Sequence, residues 1–240
     1  MTDIFDDFLF PRRPTAERPL LGQTVLVVED SRVAGETMRL MCLRGGARIR
    51  RADSLRSAAR HLTNYRPTVV VIDLGLPDGS GLNLIRKLSA SLPRVPVLLA
   101  LSGDSSLESA AIEAGADDFL PKPFGSVSEF HNAILRRLPL EERPRGPREI
   151  TNEIVAADED ALLDDLALLA DLLERSTDRA TLSYATNFAV GVGRSVHDED
   201  LATAAASLAL QINAGRSCES EIALLAAMIQ DRVRSAALAV

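Results

Sequence analysis

The sequence contains few of the residues that cross-link or anchor a chain. Its two cysteines, Cys42 and Cys218, lie far apart and have no second thiol nearby. That spacing fits neither a disulfide framework nor a zinc site, and it suits a reducing cytosol. No run of about 20 apolar residues occurs, so we expect no membrane span. The acidic start, MTDIFDDFLFPRR, does not resemble a signal peptide. These absences predict a cytoplasmic protein.

Lysine is absent from residue 140 onward, and tryptophan is absent throughout. From residue 140 onward there are 18 acidic residues and 9 arginines, which gives a net charge of −9. The first 139 residues carry a net charge of +2. Because an acidic surface repels phosphate backbones, we expect nucleic acid to be an unlikely partner.

Short apolar runs alternate with amphipathic, helix-like segments in the first half. The predicted strands are Thr24–Val28, Arg48–Ala52, Val69–Ile72, Val97–Leu101 and Phe119–Leu120, and the predicted helices are Arg32–Arg44, Leu55–Asn64, Gly81–Ser91, Leu107–Ala114 and Ser126–Leu138. Continuously apolar strands separated by helices indicate a parallel sheet that is covered on both faces. We therefore predict an α/β fold with a doubly wound, five-stranded parallel sheet.

The second half changes in character, since alanine and leucine dominate it and strand-like runs almost disappear. Helical spacing of leucine predicts a helix over Asp160–Glu174, and further helices are predicted over Thr181–Val192, Asp198–Asn213 and Glu219–Ala239. We predict four segments: an arm at 1–21, an α/β domain at 22–139, a linker at 140–150 and an all-α domain at 151–240.

Polar residues follow the predicted strands in the order Glu29 and Asp30, Asp73, Ser102 and Lys122. The carboxyl ends of parallel strands share one edge of the sheet, so three carboxylates, a hydroxyl and an ammonium should meet there. A single acidic residue at a strand end is more often a helix cap, but five such polar residues at four ordered strand ends are difficult to obtain by chance. Clustered carboxylates repel one another unless a cation such as Mg²⁺ binds, and one of them can then attack a phosphorus atom.

Four segments carry a resemblance to a known family. They are LVVEDS at 26–31, VVVIDLGLPDGSGL at 69–82, LLALSG at 98–103 and GADDFLPKPF at 115–124. In residue type, order and spacing, the chain from about Gly22 to Leu138 resembles the receiver domain of two-component response regulators. The resemblance implies a flavodoxin-like fold, a magnesium cofactor, and a histidine kinase or histidine phosphotransfer protein as the phosphodonor. It implies a signalling protein and not an enzyme with a separate substrate.

The resemblance also implies roles for individual residues. Asp73 matches the phosphoacceptor, Asp30 and the Gly75 carbonyl match direct Mg²⁺ ligands, and Glu29 matches a ligand that acts through water. Ser102 matches the residue that donates a hydrogen bond to the bound phosphoryl group, and Lys122 matches the residue that forms an ion pair with it. Phe119 and Ser102 together match the pair of residues that switches conformation on phosphorylation. Ser102 stands where threonine is more frequent, and Phe119 lacks the phenolic oxygen of tyrosine.

The predicted helical half allows three readings. We favour a module for homodimerisation or partner binding, because alanine-rich helices can approach one another closely. A nucleic-acid-binding transcription or antitermination regulator is the alternative that the acidic charge and scarce aromatic residues disfavour. A phosphorelay through His197 is the third. The lysine and glycine expected after such a histidine are replaced by Asp200 and Ala202, and Ser195 with Asp198 resembles a capping box.

Overall fold

The computed structural model describes residues 13–148, 150, 152–176 and 178–237. Of the predicted arm, residues 1–12 lie outside the described residues, and Phe5, Phe8 and Phe10 lie there with them. Leu20, near the end of that predicted arm, is fully buried, and its amide donates to the Gly45 carbonyl at 2.7 Å. The segment just before the first strand therefore packs on the α/β part.

A five-stranded parallel sheet forms the centre of the first half. Its strands are β1 (Thr24–Val28), β2 (Arg48–Ala52), β3 (Val69–Asp73), β6 (Val97–Ser102) and β7 (Asp118–Pro121), in the order β2-β1-β3-β6-β7. The predicted fold class is confirmed. A short antiparallel hairpin, β4 (Gly75–Leu76) with β5 (Gly79–Ser80), follows β3 and has no counterpart in the sequence prediction.

The central strands are apolar on both faces because helices cover each side. The helices of this half are α1 (Arg32–Arg44), α2 (Leu55–Asn64), α3 (Gly81–Ser89), α4 (Glu108–Glu113) and α5 (Val127–Leu135). Alternate strand residues pack with α1 and α5 on one face, and with α2, α3 and α4 on the other. The sheet order reverses between β1 and β3, which leaves a crevice at their carboxyl ends.

Four helices form the second half: α6 (Glu159–Arg175), α7 (Arg179–Ser195), α8 (Glu199–Asn213) and α9 (Glu219–Ala237). The side-chain carboxylates of Asp158, Asp178 and Asp198 cap the first three helices. The leucine stripe of α6 lies in a bundle core with Phe188 of α7 and residues of α8 and α9. The predicted all-α character of this half is confirmed.

Two details of the predicted helical half are wrong. Helix α7 does not end at the predicted Val192 but continues to Ser195. The reason is packing: a Cβ on Gly193 would stand 2.9 Å from the Ala202 nitrogen, so glycine allows α7 and α8 to cross closely. Ser195 is also not part of a capping box, since its hydroxyl donates within α7 to the Gly191 carbonyl at 2.8 Å and Asp198 caps α8 alone.

The segment between the two halves lies against the α/β part. The Val127 amide donates to the Glu153 carbonyl at 2.8 Å, Arg44 forms an ion pair with Glu153, and Val155 is buried in the core beneath α1 and α5. Within the described ranges, none of the helices has the length and apolarity that a membrane crossing needs. The domain boundaries stay a prediction.

Candidate functional site

One edge of the sheet gathers the residues that the sequence singled out. Glu29 and Asp30 follow β1, Asp73 ends β3, Ser102 ends β6 and Lys122 follows β7. Parallel register places these strand ends side by side, as in the pairing of Ile72 with Ala100 and Asp73 with Leu101. The sequence-predicted cluster is therefore present in space.

Lys122 is the electrostatic centre of the cluster. Its Nζ atom lies 2.7 Å from Glu29 Oε2 and 3.6 Å from Asp73 Oδ2. One carboxylate oxygen from each of Glu29, Asp30 and Asp73 lies within 4.8 Å of the others. Glu29, Asp73 and Lys122 are all buried. Three acidic groups therefore share one buried ammonium, which leaves an excess of negative charge.

Burial and mutual repulsion shift the proton affinities. Burial raises the pKa of Glu29 well above its ordinary value, because the opposing charge of Lys122 is outweighed. Burial, with the neighbouring Asp73 charge, raises the pKa of Asp30 to about 6. For Lys122, burial alone lowers the pKa, but the charges of Asp73 and Glu29 outweigh it and the pKa rises. The ammonium is thus firmly protonated, and the carboxylates lack countercharge.

The remaining predicted residues occupy different positions around the cluster. Ser102 and Gly75 line a cavity of about 190 Å³ together with Asp73 and Lys122. The Ser102 hydroxyl accepts a hydrogen bond from the Asp104 amide at 3.0 Å. Phe119 packs inward on the face covered by α2, α3 and α4. The Lys122–Pro123 peptide bond is cis.

Two residues at this edge come from the helical half, and sequence reasoning missed both. The Tyr184 hydroxyl of α7 donates to Asp30 Oδ2 at 2.5 Å. Asp165 of α6 accepts from the Ser31 hydroxyl at 2.8 Å and from the amides of Arg32 and Val33 at 2.8 and 3.1 Å. Burial raises the pKa of Asp165, although these donors oppose the shift. The helical half therefore packs directly on the acidic edge.

The match to a family model settles what the α/β part is. Residues 25–135 match the model described as the response regulator receiver domain. These residues form a receiver domain. The match ends at the last residue of α5, so it covers the sheet and its acidic strand ends but none of the four-helix bundle.

Curated relatives agree with this assignment. The KDP operon transcriptional regulatory protein KdpE of Escherichia coli is 36% identical over 101 residues, which cover 42% of this chain and 45% of KdpE. The probable transcriptional regulatory protein TcrX of Mycobacterium tuberculosis is 37% identical over 142 residues, with 58% and 60% covered. A crystal structure of a putative response regulator from Chloroflexus aurantiacus is 31% identical, covers 48% of this chain and 98% of its own, and has a TM-score of 0.44. The chain spans about half the length of the curated relatives it matches.

The acidic edge of the receiver domain fits a divalent cation. Among the described residues, Asp30 Oδ1 is a buried carboxylate oxygen without a hydrogen-bond partner, whereas Glu29 Oε2 is paired with Lys122. A buried, partnerless carboxylate oxygen is costly unless a ligand satisfies it. Hard oxygen donors in excess of positive charge are the ligands that Mg²⁺ prefers.

The site does not include His197. That residue is exposed in the turn between α7 and α8, where its backbone has a φ of +60°. It therefore lies in a tight turn and not on the face of a helix.

The only sequence signal for Asp165 and Tyr184 was that each carries a polar group among apolar neighbours of an amphipathic helix.

Proposed function

We propose that the chain is a two-component response regulator that accepts a phosphoryl group on Asp73 from a histidine kinase or a histidine phosphotransfer protein. The observation that carries this proposal is the placement of Asp73. It ends the central strand, lines the cavity and lies 3.6 Å from the Lys122 ammonium, beside two further carboxylates. The donor's P–N bond breaks as an Asp73 oxygen bonds to phosphorus, and the leaving imidazole takes up a proton from water.

The neighbouring residues would assist this transfer. Lys122, 3.6 Å from Asp73, would neutralise charge on the phosphoryl group, and Ser102, which lines the cavity, would donate a hydrogen bond to it. Asp30, Asp73 and the Gly75 carbonyl would hold Mg²⁺, with Glu29 acting through water, and the metal would neutralise the phosphoryl oxygens. Ser102 and Phe119 would form the switch that reports phosphorylation. A protein with these partners acts in the cytoplasm.

Phosphorylation of Asp73 is tested by intact mass after incubation with Mg²⁺ and acetyl phosphate. Wild type should gain one phosphoryl group, and Asp73→Asn should gain none. Asp53→Asn is the matched control, because Asp53 is an exposed carboxylate that follows β2 at the same edge of the sheet. Undiminished labelling of Asp73→Asn would reject the assignment.

The two acidic residues after β1 are proposed to differ in their roles toward Mg²⁺. Asp30 has a free oxygen, whereas Glu29 is already paired with Lys122 at 2.7 Å. Calorimetric titration should therefore show a greater loss of Mg²⁺ affinity for Asp30→Asn than for Glu29→Gln. The reverse order would overturn the division of roles.

For the helical half, we propose homodimerisation or binding of another protein. Its leucine stripe is used within the bundle, so the support comes from Leu210 and Leu224, which are 71% and 61% exposed. Light scattering of the full chain with and without beryllofluoride tests this. A monomer in both states would reject dimerisation and leave partner binding.

Transcriptional regulation is the second candidate, and the names of the relatives favour it. KdpE and TcrX are called transcriptional regulatory proteins, which conflicts with our expectation that nucleic acid is an unlikely partner. The net charge of the helical half opposes DNA binding, and the matched segment in KdpE is less than half of that protein. Retention of mixed genomic DNA fragments by the beryllofluoride-treated protein at low salt would establish this candidate in place of ours.

A further inference from the structure

The acceptor cavity has a wall that the receiver domain does not supply. Its lining includes Asn187, Phe188, Val190 and Gly191, all from α7. Beneath them, Asp73, Ser102 and Lys122 are 7%, 7% and 5% exposed. The space around Asp73 is therefore bounded on one side by α7, and a group that binds there must fit beside this helix.

Helix α7 meets the acceptor site at Gly191 and near Gly103, where an added Cβ would stand at ordinary van der Waals distance. A Cβ on Gly191 would stand 3.7 Å from Lys122 Nζ, and a Cβ on Gly103 would stand 3.7 Å from the Gly191 Cα atom. Glycine in the interior of a helix is unfavourable because it has the greatest backbone freedom to lose. Its presence at position 191 removes side-chain bulk at the point where the helix meets the acceptor site.

Besides the exposed ion pair between Arg32 and Asp164, Asp165 and Tyr184 hold the helices in place through less exposed polar contacts. Asp165 is 1% exposed and accepts three hydrogen bonds at the amino end of α1, where backbone N–H groups have no helical partner. Tyr184 donates to Asp30 inside the acidic edge. Neither contact stabilises the bundle itself. The groups that donate to Asp165 and the carboxylate that accepts from Tyr184 all belong to the receiver domain.

Because the helical half is covalently connected to the receiver domain, it competes effectively with other proteins for the surface around Asp73. The connecting segment is fixed to the receiver domain at Glu153 and Val155. A tethered module acts at a high effective concentration, which an unlinked protein must match to displace it.

We propose that α7, held by Asp165 and Tyr184, is a roof over Asp73 that selects phosphodonors by size. The inference rests on the proposed role of Asp73 as acceptor. The cavity volume of about 190 Å³ equals that of roughly six water molecules. A small phosphodonor fits this space. A phosphohistidine on a polypeptide can reach Asp73 only after α7 has moved away from the cavity. The surface that a phosphodonor protein has to reach is thus occupied by the chain's own helical half.

The test compares two donors with the same leaving group. Phosphoimidazole and a short peptide carrying phosphohistidine both break a P–N bond and release an imidazole, so they differ in bulk and not in chemistry. The labelling rate of Asp73 by each donor is measured by intact mass with full-length protein and Mg²⁺. The readout is the ratio of the peptide rate to the phosphoimidazole rate.

The matched variants are Asp165→Ala and Asp164→Ala. Asp164 is the adjacent carboxylate of α6, but its side chain is 55% exposed and bonds to the exposed guanidinium of Arg32. Asp165→Ala should raise the ratio about tenfold, because the competent, open state becomes more populated. Asp164→Ala should leave the ratio unchanged. Labelling by phosphoimidazole also shows that each variant retains a folded receiver domain.

The outcomes separate the two proposals. If phosphoimidazole fails to label Asp73 in wild type, the proposed function fails. If it labels Asp73 but the ratio is the same in wild type and Asp165→Ala, the proposal that α7 selects phosphodonors by size is rejected. An equal rise with both donors would also overturn selection by size.

Discussion

The receiver domain and the helical bundle both bury carboxylates, but for different reasons. In the receiver domain, Glu29 and Asp73 are buried where adjacent strands of one sheet end, and Lys122 compensates them. In the bundle, Asp165 is buried only because α6 packs against another part of the chain. Buried charge in the first case follows from topology, and in the second it follows from docking. The two kinds of burial should respond differently to mutation.

The largest effect is expected in the receiver domain. Lys122→Met leaves Glu29 and Asp73 without their ammonium, and removal of one member of a buried pair should lower the free energy of unfolding by about 3 kcal/mol. Urea unfolding followed by circular dichroism measures this. Arg137→Met is the control, because the Arg137–Asp118 pair is partly exposed and should contribute less than about 1 kcal/mol. Equal losses would contradict the buried-pair account.

The bundle carboxylate should have a smaller effect. Asp165→Ala leaves the buried Val33 amide and the Arg32 amide without their acceptor, which should cost about 2 kcal/mol in the same unfolding experiment. Asp164→Ala should change the value by less than about 0.5 kcal/mol, since its ion pair is exposed. A loss as large for Asp164 as for Asp165 would show that docking does not depend on the buried contact.

Tyr184 links the two regions, so its hydroxyl should affect metal binding. Tyr184→Phe frees Asp30 Oδ2, and loss of a competing hydrogen bond of about 1 kcal/mol should strengthen Mg²⁺ binding roughly fivefold. Calorimetric titration measures the affinity. Tyr65→Phe is the matched control, because the Tyr65 hydroxyl is buried without a hydrogen-bond partner in the described part of the chain. Unchanged affinity in Tyr184→Phe would mean that the contact does not compete with the metal.

The smallest effect concerns a receiver residue distant from the docked helices. Burial lowers the pKa of His131, although its Nε2 lies 2.8 Å from the Met41 carbonyl. A lowered pKa gives stability that is present above about pH 6.5 and is lost as the pH falls through the folded-state pKa. The free-energy difference between wild type and His131→Gln should therefore shrink by less than about 1 kcal/mol between pH 8 and pH 5.5. A difference that grows toward low pH would contradict this sign.

The sequence predicted the acidic edge because short, continuous apolar runs determine where the strands end. Apolar runs such as Val69–Ile72 identify a buried strand, and the residue after such a run must emerge at the sheet edge. The hairpin at Gly75–Ser80 was missed, since strands of two residues have no periodicity to detect. The predicted end of α7 at Val192 is wrong because glycine commonly ends a helix, whereas Gly193 lies inside α7 and allows α8 to cross closely.

The docking contacts could not be derived in the same way. Asp165 and Tyr184 each lie on an amphipathic helix whose neighbours pack into the bundle core. Which part of the helix surface meets a second module depends on the path of the connecting segment, and a helical pattern carries no such information. The roles assigned to Ser102, Lys122 and Phe119 by resemblance stay predictions.

The burial of Leu20 and Val155 has a consequence for excising the receiver domain. Both residues pack in the core beneath α1 and α5, together with Leu138, yet all three lie outside residues 25–135. A fragment cut at the limits of the family match would uncover an apolar patch on that face. Each lost aliphatic side chain removes about 1.5–3 kcal/mol of burial energy. Such a fragment should be less stable and more prone to self-association than the same sheet within the intact chain.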